Sequence, residues 1–234
     1  MNALIITVLA LALSFAAYLL SLRVAGFFRF NPLANPVVMA VALIIVVLKC
    51  CDVSYQTYFR GAEAIHFLLG PATVALAIPL AKQASRLRQI LLPLSLSLVL
   101  GCVTSIVSAF VITFAFKGSL PLAVSMAPKS ATTPIAMAIT EALHGYPAVS
   151  AAVVITTGII GAIIGRFVFK FLAIDSIEAR GFAMGVSAHG IGTARAFQIS
   201  PELGAYAGLG MGLNGVLTAV MTPLLVPSMA KICY

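Results

Sequence analysis

The sequence predicts an all-α, polytopic membrane protein with about seven or eight membrane segments, two of which are broken or re-entrant. Of its 234 residues, 62% are hydrophobic and only 9% are charged, and the mean hydropathy is +1.13. A soluble globular domain carries about 25% charged residues. Several uncharged stretches also reach the length of about 20 residues that a helix needs to cross a hydrocarbon core of about 30 Å. These stretches are residues 1–22, 30–48, 89–116, 145–165 and 203–230.

Charges and helix breakers divide the chain into eight consecutive segments. The predicted segments are residues 3–22, 34–49, 64–81, 89–116, 119–143, 149–172, 181–200 and 203–230. The first, second and fourth are long runs with little or no charge, and the third lies between Glu63 and Lys82. The fifth and seventh contain polar, helix-breaking residues, whereas the sixth and eighth are long and apolar. The loops are short and none has the composition of a soluble domain, so we expect one membrane domain over residues 1–234.

Basic residues lie mainly at segment ends, and this pattern predicts the orientation in the membrane. Positive charge concentrated in short loops places those loops in the cytoplasm. The residues concerned are Arg23, Arg29, Lys82, Arg86, Arg88, Arg166, Lys170 and Arg180. Their distribution, without any basic–aromatic repeat, argues against nucleic acid as the partner that the net charge of +8 would suggest. The first segment has no charged leading region, so we expect a retained helix with its amino terminus outside.

A re-entrant fifth segment gives the best agreement with these charges. If every segment spanned the bilayer, the loop that holds Arg166, Lys170 and Arg180 would lie outside. A hairpin over 119–143, with its tip near Lys129, returns that loop to the cytoplasm. The alternative is an external loop in which acidic residues accompany the basic ones.

The first polar island, residues 128–134, reads Pro-Lys-Ser-Ala-Thr-Thr-Pro inside apolar sequence. A lysine at bilayer depth costs about 2.5–3.5 kcal/mol on insertion scales, and backbone groups freed by a helix break find no partner in lipid. Lys129 and the helix start at Pro134 are suited to binding an anion, with hydroxyls as further donors. The hydroxyl residues are Ser130, Thr132 and Thr133. The alternative is a proline kink with a lysine that reaches the membrane surface.

The second polar island, residues 188–195, reads Ala-His-Gly-Ile-Gly-Thr-Ala-Arg. Gly190 and Gly192 permit unusual backbone geometry and close approach of a ligand. His189 can donate a hydrogen bond or carry a proton, and Arg195 can bind a carboxylate with two hydrogen bonds. Thr193 supplies a hydroxyl. The alternative assigns these residues to packing and to anchoring at the membrane interface.

The two islands are related by a weak internal repeat of about 60 residues. Thr133 corresponds to Thr193 and Ala136 to Ala196, each 60 positions apart, and each island precedes an apolar segment. Paired broken helices in a repeat are how many secondary transporters build a site near the bilayer midplane. We therefore expect the islands to meet, with residues 132 and 193 within roughly 15 Å of each other. Asn214, an amide in the middle of the last segment, is a further candidate for this site.

The sequence contains no enzyme, metal or cofactor signature. The three histidines are too scattered for a metal site, and no phosphate-binding loop or nucleophile elbow is present. The four cysteines form no C-x-x-C pair and are interpreted as inert thiols. We therefore expect a protein that is not an enzyme and needs no cofactor.

Three strings carry a resemblance to a known family: PKSATTPIA (128–136), ARGFAMG (179–185) and HGIGTAR (189–195). Together they resemble the LrgB/CidB family of bacterial inner-membrane proteins, over nearly the whole chain. The resemblance implies one of two functions. One is holin/antiholin-like control of murein hydrolase activity and cell lysis, with a small LrgA/CidA-type membrane partner. The other is transport of small carboxylates, because the plastid member moves glycolate and glycerate and some bacterial members are tied to pyruvate.

The polar islands favour the transport function. A holin-like pore needs oligomerisation and a lumen, but it does not need cations between helix breaks at bilayer depth. A carrier of small monocarboxylates needs an anion pocket of this kind, and a 2-hydroxy or 2-keto group would occupy its remaining donors. We expect a multi-pass protein of the bacterial inner membrane, assembled as a homo-oligomer such as a dimer. The sequence names neither the carboxylate nor a coupling ion.

Overall fold

The computed structural model describes residues 3–28, 36–75 and 84–233, and within these ranges the chain forms helices, turns and no strand. Residues Met1–Ala75 and Leu76–Tyr234 form two compact units. Four described helices are long and apolar enough to cross a membrane: Leu4–Phe27, Leu91–Ala115, Pro147–Phe171 and Pro201–Cys233. The prediction of an all-α polytopic membrane protein is confirmed at this level.

The first unit contains three helices, α1 (Ala3–Phe27), α2 (Pro36–Cys50) and α3 (Tyr55–Ala75). Helix α3 begins well before the predicted residue 64, because Ser54 caps it by accepting a hydrogen bond from the Thr57 amide at 3.2 Å. The sequence prediction placed the start of this helix too late, because the charged residues Arg60 and Glu63 lower the hydropathy of its first turns. The predicted end of that segment, 76–81, and the basic residues Arg29 and Lys82 lie outside the described residues.

The second unit holds both polar islands. Its helices are α4 (Ala84–Gln89), α5 (Leu91–Ala115), α6 (Leu120–Met126), α7 (Thr133–Ala142), α8 (Pro147–Phe171), α9 (Ile177–Ile199) and α10 (Pro201–Cys233). Helix α9 begins before the predicted residue 181 for the same reason as α3. The Ser176 hydroxyl caps it, accepting from the Ala179 amide at 3.2 Å.

Helices α5 and α8 run in opposite directions. Ile90, at the start of α5, lines a cavity together with Ile174 and Ser176, which follow α8. Phe110, near the end of α5, packs in a cluster with Leu143, which precedes α8. The start of α5 and the α8–α9 loop therefore share one end of this unit, which we call the basic end. The α5–α6 and α7–α8 loops share the other, which we call the far end.

The predicted segment 119–143 is broken in the middle and has both of its ends at the far end. Helix α6 stops at Met126 and α7 starts at Thr133, with Thr132 extended at φ −70° and ψ 152°. The Tyr146 amide, just after α7, donates a 2.7 Å hydrogen bond to the Ser125 hydroxyl in α6. The first polar island thus forms the turn of a helix–turn–helix element that enters and leaves from one side.

Helix α9 is also folded back on itself. His189 has φ 41° and ψ −130°, outside the helical region. Gly192 lies close to Met184, eight positions earlier: a methyl group added to Gly192 would be 2.5 Å from the Met184 carbonyl oxygen. In an unbroken helix, two residues eight positions apart are separated by about 12 Å. A methyl group on Gly181 would lie 2.5 Å from the carbonyl oxygen of Leu203, beyond the other end of α9. The two halves of α9 are therefore antiparallel, with the tip at His189 and both ends at the basic end.

Helix α10 packs closely against α9 through glycines. The backbone of Gly185 touches the Ala207 carbonyl, and a methyl group on Gly210 would lie 2.6 Å from the Phe182 carbonyl oxygen. One face of α10 carries three fully buried polar side chains, Asn214, Thr218 and Thr222, at helical spacing of four residues. This face lies against α5, because the Cys102 thiol contacts the Thr218 hydroxyl at 3.5 Å.

Candidate functional site

Lys129 lies in the break between α6 and α7 and lines a cavity of about 610 Å³ between α5, α8 and the tip of α9. The cavity wall is rich in hydroxyl groups. They belong to Thr104, Ser105, Ser108, Ser130, Thr157 and Ser187. We call this space the Lys129 cavity.

Ser105 organises the polar groups of the cavity. Its hydroxyl oxygen accepts a 2.8 Å hydrogen bond from the Lys129 ammonium and a 2.9 Å hydrogen bond from the Ser130 hydroxyl. Lys129 is half-buried and Ser130 is buried. Ser105 thus fixes the side chains of Lys129 and Ser130. The Lys129 ammonium group has three hydrogens, so two remain to face the cavity.

The cavity lies near the middle of the two long helices that border it. Ser105 is about 21 Å along the helix axis from the start of α5 and about 15 Å from its end, at 1.5 Å per residue. Thr157 is about 15 Å from the start of α8 and about 21 Å from its end. Because α5 and α8 are antiparallel, both residues lie at a similar depth, which corresponds to the centre of a hydrocarbon core of about 30 Å.

Asn214 connects the first polar island to the part of α9 that directly precedes the second polar island. Its side-chain amide nitrogen donates to the Ser130 carbonyl at 3.0 Å and to the Val186 carbonyl at 3.1 Å. A helical hydrogen bond from Gly190 to the Val186 carbonyl would require helical angles at His189, which this residue does not have. Asn214 therefore pairs a carbonyl that the break in α9 has freed.

His189 and Thr193 hold the tip of α9. The His189 ring nitrogen Nε2 lies 2.9 Å from the Val154 carbonyl oxygen, so this nitrogen carries the hydrogen and donates it. The ring packs on Gly158 of α8, where an added methyl group would lie 2.6 Å from Cε1. The Thr193 hydroxyl donates to the His189 carbonyl at 2.8 Å. Both side chains are buried, and neither lines the Lys129 cavity.

The structure separates Arg195 from Lys129. The Arg195 guanidinium donates a 3.0 Å hydrogen bond to the Gln198 side chain, and its neighbouring charge is Arg166 of α8, toward the basic end. Of the predicted site residues, Lys129 and Ser130 line the cavity and Asn214 contacts Ser130. The remaining candidates do not line it. They are Thr132, Thr133, His189, Gly190, Gly192, Thr193 and Arg195.

The charge of the cavity fits a small anion. Lys129 is the cation on its wall, and none of the six aspartates and glutamates of the chain lines it. Hydroxyl groups can donate hydrogen bonds to a carboxylate and accept them from a hydroxyl group of the ligand. Among the described residues, no group of three histidine, cysteine, aspartate or glutamate side chains could hold a metal ion.

The α5 wall of the cavity was not predicted from the sequence, although a pattern was present. Ser97, Gly101, Ser105 and Ser108 follow one another at spacings of four, four and three residues, which places small and polar side chains on one helix face. The remaining residues of α5 are mostly apolar. This periodicity predicts a polar groove, but such small residues also occur at ordinary helix contacts in membranes.

Comparison with known proteins agrees with the resemblance. A profile of the LrgB-like family matches residues 14–228. The holin-like protein CidB of Staphylococcus epidermidis (strain ATCC 35984) is 32% identical over 226 residues, covering 97% of this chain and 98% of that protein. The antiholin-like protein LrgB of Bacillus cereus (strain B4264) is 33% identical over 202 residues, covering 86% of each chain.

A third relative is the uncharacterized protein YwbG of Bacillus subtilis (strain 168). It is 35% identical over 195 residues, covering 83% of this chain and 87% of that protein. No solved structure matches.

Proposed function

This chain belongs to the LrgB-like family, and from that membership and the Lys129 cavity we propose that it carries small monocarboxylates across a membrane. The observation that supports the proposal is a hydroxyl-lined cavity at mid-membrane depth, on whose wall the described residues place one ammonium group and no carboxylate. A lysine at this depth without an acidic counter-ion among the described residues is costly, and a bound carboxylate would compensate its charge. The reaction is binding and release, without covalent chemistry.

The proposed substrates are 2-hydroxy and 2-keto acids such as glycolate, glycerate or pyruvate. Lys129 keeps ammonium hydrogens for a carboxylate, and the Ser105 hydroxyl, which accepts from Lys129 and Ser130, keeps its own hydrogen as a second donor. Thr157 and Ser187 lie on the opposite walls of the cavity. A second oxygen on the substrate gives these hydroxyls a partner that acetate lacks. His189 and Thr193 of the second polar island support the site by holding the tip of α9. Arg195 contributes positive charge on the side of the basic end.

The proposed topology follows from the two folded segments. We propose that 119–143 is re-entrant from the outside and that 181–200 is re-entrant from the cytoplasm of a bacterial inner membrane. Basic residues near the basic end support this orientation, among them Arg88, Arg166, Lys170 and Arg180. Each tip is followed by a long apolar helix, and α8 and α10 run in opposite directions. This order supports the proposed repeat of about 60 residues, with its two copies inverted relative to each other.

The names of the relatives support a second candidate function. Proteins named holin-like CidB and antiholin-like LrgB match nearly the full chain, and these names favour control of murein hydrolase activity and lysis. This function would call on a small LrgA/CidA-type membrane partner and on a homo-oligomer such as a dimer. The names favour this candidate more directly than they favour transport. The charge and depth of the Lys129 cavity favour transport.

Reconstitution separates the two candidates. The purified protein, alone or with a small LrgA/CidA-type protein, is placed in liposomes and tested with labelled glycolate, lactate, pyruvate and acetate. A carrier takes up the 2-substituted acids in preference to acetate, saturates with concentration and does not leak a neutral dye. A pore releases the dye and shows no saturation. Uptake of none of the acids under either condition would count against the transport proposal.

A further inference from the structure

A second cavity extends the Lys129 cavity toward the basic end. It has a volume of about 590 Å³ and lies between the first half of α5 and the first half of α9, from Ser176 inward. The two cavities share three wall residues, Gly101, Val186 and Ser187. They therefore form one groove that runs from the α8–α9 loop to the ammonium group of Lys129. We call it the entry groove.

The wall of the second cavity is mostly apolar, and two polar side chains lie on it close to the Lys129 cavity. Ser97 lies on its α5 wall and Ser187 on its α9 wall, and both are exposed. Their hydroxyls donate to carbonyls of their own helices, Leu94 at 3.0 Å and Ala183 at 2.6 Å. The hydroxyl oxygens keep lone pairs free for water. These lone pairs give water that enters the groove two acceptors along its length.

Glu178 argues against a second anion site at the mouth of the groove. It lines the outer part of the groove, and its carboxylate accepts a 2.5 Å hydrogen bond from the Ser176 hydroxyl. A carboxylate at the mouth repels an anion that would stop there, while Lys129 attracts it further in. The net effect is a single anion site at the inner end of the groove.

An apolar cluster closes the opposite side of Lys129. It is formed by Cys102, Ile106, Phe110, Ala123, Val124, Ala127 and Val226, all of which are at most 4% exposed. Ile106 lies on the face of α5 next to Ser105, the partner of Lys129, and the cluster continues beyond the cavity to Phe110 near the far end. A hydrated anion cannot cross a close-packed apolar cluster without displacing it. We call this cluster the far-end seal.

We propose that the entry groove is the path by which small anions reach Lys129, and that this conformation opens to the basic end and is shut at the far end. This inference rests on the proposed transport function and adds the route that the substrate takes to its site. Ser97 and Ser187 line that route. Release at the far end requires the α6–α7 element to move, because Ala123, Val124 and Ala127 of the far-end seal belong to it or to its turn.

Thiol accessibility tests this path without relying on uptake. Cys50, Cys51 and Cys233 are replaced by serine and Cys102 by alanine, and single Ser97→Cys or Ser187→Cys substitutions are added. Leu172→Cys, exposed in the α8–α9 loop, reports the face of the basic end. A variant that retains Cys102 alone reports the far-end seal, because this thiol is fully buried. Each monodisperse variant is reacted with a membrane-impermeant maleimide from either face of sealed proteoliposomes.

Ser97→Cys and Ser187→Cys should react when the reagent is on the face that labels Leu172→Cys. Neither should react when the reagent is on the other face. Cys102 should stay unreactive from both. Reaction of the two groove positions from the opposite face, or from neither face, would overturn the proposed path. Lactate at saturating concentration should slow labelling of Ser187→Cys. One-sided labelling without protection by any of the four acids would leave the path in place and count against the transport function.

Discussion

The side-chain amide of Asn214 lies 3.0 Å from the carbonyl oxygen of Ser130, and this hydrogen bond joins residues 84 positions apart in the chain. The same nitrogen lies 3.1 Å from the Val186 carbonyl. Because both acceptors are carbonyl oxygens, only the nitrogen of the amide can face them. One side chain of α10 therefore fixes the distance between the turn of the α6–α7 element and the tip of α9, which form two walls of the Lys129 cavity.

Replacement of Asn214 by leucine should destabilise the protein. The change leaves two carbonyl groups without this donor in the interior, and each such loss costs about 1–3 kcal/mol. We expect a clear decrease in the Tm of the purified protein in detergent. Val216→Ala on the same helix is the control, since Val216 is 68% exposed and its truncation should change the Tm little. Equal Tm values for the two variants would contradict the assigned role of Asn214.

Replacement of Lys129 by methionine should abolish uptake without impairing insertion. The variant removes a cation that is costly at this depth, so its yield and Tm should match or exceed those of the parent protein. Uptake of labelled lactate into liposomes measures the loss. Lys117→Met is a matched control, because Lys117 is exposed in the loop at the far end. A monodisperse Lys129→Met protein with normal uptake would remove Lys129 from the site.

Replacement of Ser105 by alanine should weaken substrate binding without abolishing it. Lys129 keeps its charge but loses the acceptor that positions it, and a loss of about 1 kcal/mol in substrate binding corresponds to roughly fivefold in affinity. We expect the KM for uptake to rise by about this factor. Ser228→Ala provides the comparison, because the Ser228 hydroxyl donates only to the Leu224 carbonyl on an exposed face of α10. A KM that changes equally in both variants would show that Ser105 has no special role.

A methyl group at Gly158 should displace the His189 ring. Gly158→Ala places a carbon 2.6 Å from His189 Cε1, and overpacking of this kind costs about 1–3 kcal/mol. The same substitution at Gly165 meets its nearest atom at 3.6 Å, in Phe169. Both variants gain about 0.5–1 kcal/mol of helix propensity, so the Tm should fall for Gly158→Ala and hold or rise for Gly165→Ala. A fall of equal size in both would show that the His189 contact is not the cause.

Single cysteines test whether the segment 119–143 is re-entrant. In a background without native cysteines, Phe116→Cys and Tyr146→Cys flank the α6–α7 element, and both parent side chains are exposed. The two thiols should react with an impermeant reagent from the same face of intact cells, the outside. Leu172→Cys should react from the cytoplasmic face only. Labelling of positions 116 and 146 from opposite faces would show that the segment crosses the bilayer.

Composition and local signals predicted the class of fold and the two breaks. A lysine between two prolines and a His-Gly-x-Gly string both disrupt helices in apolar sequence, and the structure turns at both places. Helix starts at Tyr55 and Ile177 were placed too late, because serine caps overcome the effect of nearby charges. These are local features, so local sequence could reveal them.

The composition of the cavity depended on contacts between distant segments. Ser105 meets Lys129 across 24 positions, and Arg195 points to Gln198 of its own helix half, away from the cavity. The sequence around a serine in an apolar helix does not indicate which distant residue its hydroxyl will contact. The direction of Arg195 follows from the fold of α9 at His189, since folding back carries the second half toward the basic end. Helical periodicity alone would have placed it beyond the tip.

Within the part of the chain that the structure describes, no carboxylate lies on the wall of the Lys129 cavity, and this has an electrical consequence for a carrier built this way. The empty site bears one positive charge, and a bound monocarboxylate makes it neutral. A voltage across the membrane therefore acts on the empty site and leaves the loaded one unaffected. An elementary charge that crosses the full field gains or loses about 2.3 kcal/mol per 100 mV. In a cell with a negative interior, this force holds the empty site toward the cytoplasm, the direction in which the entry groove opens.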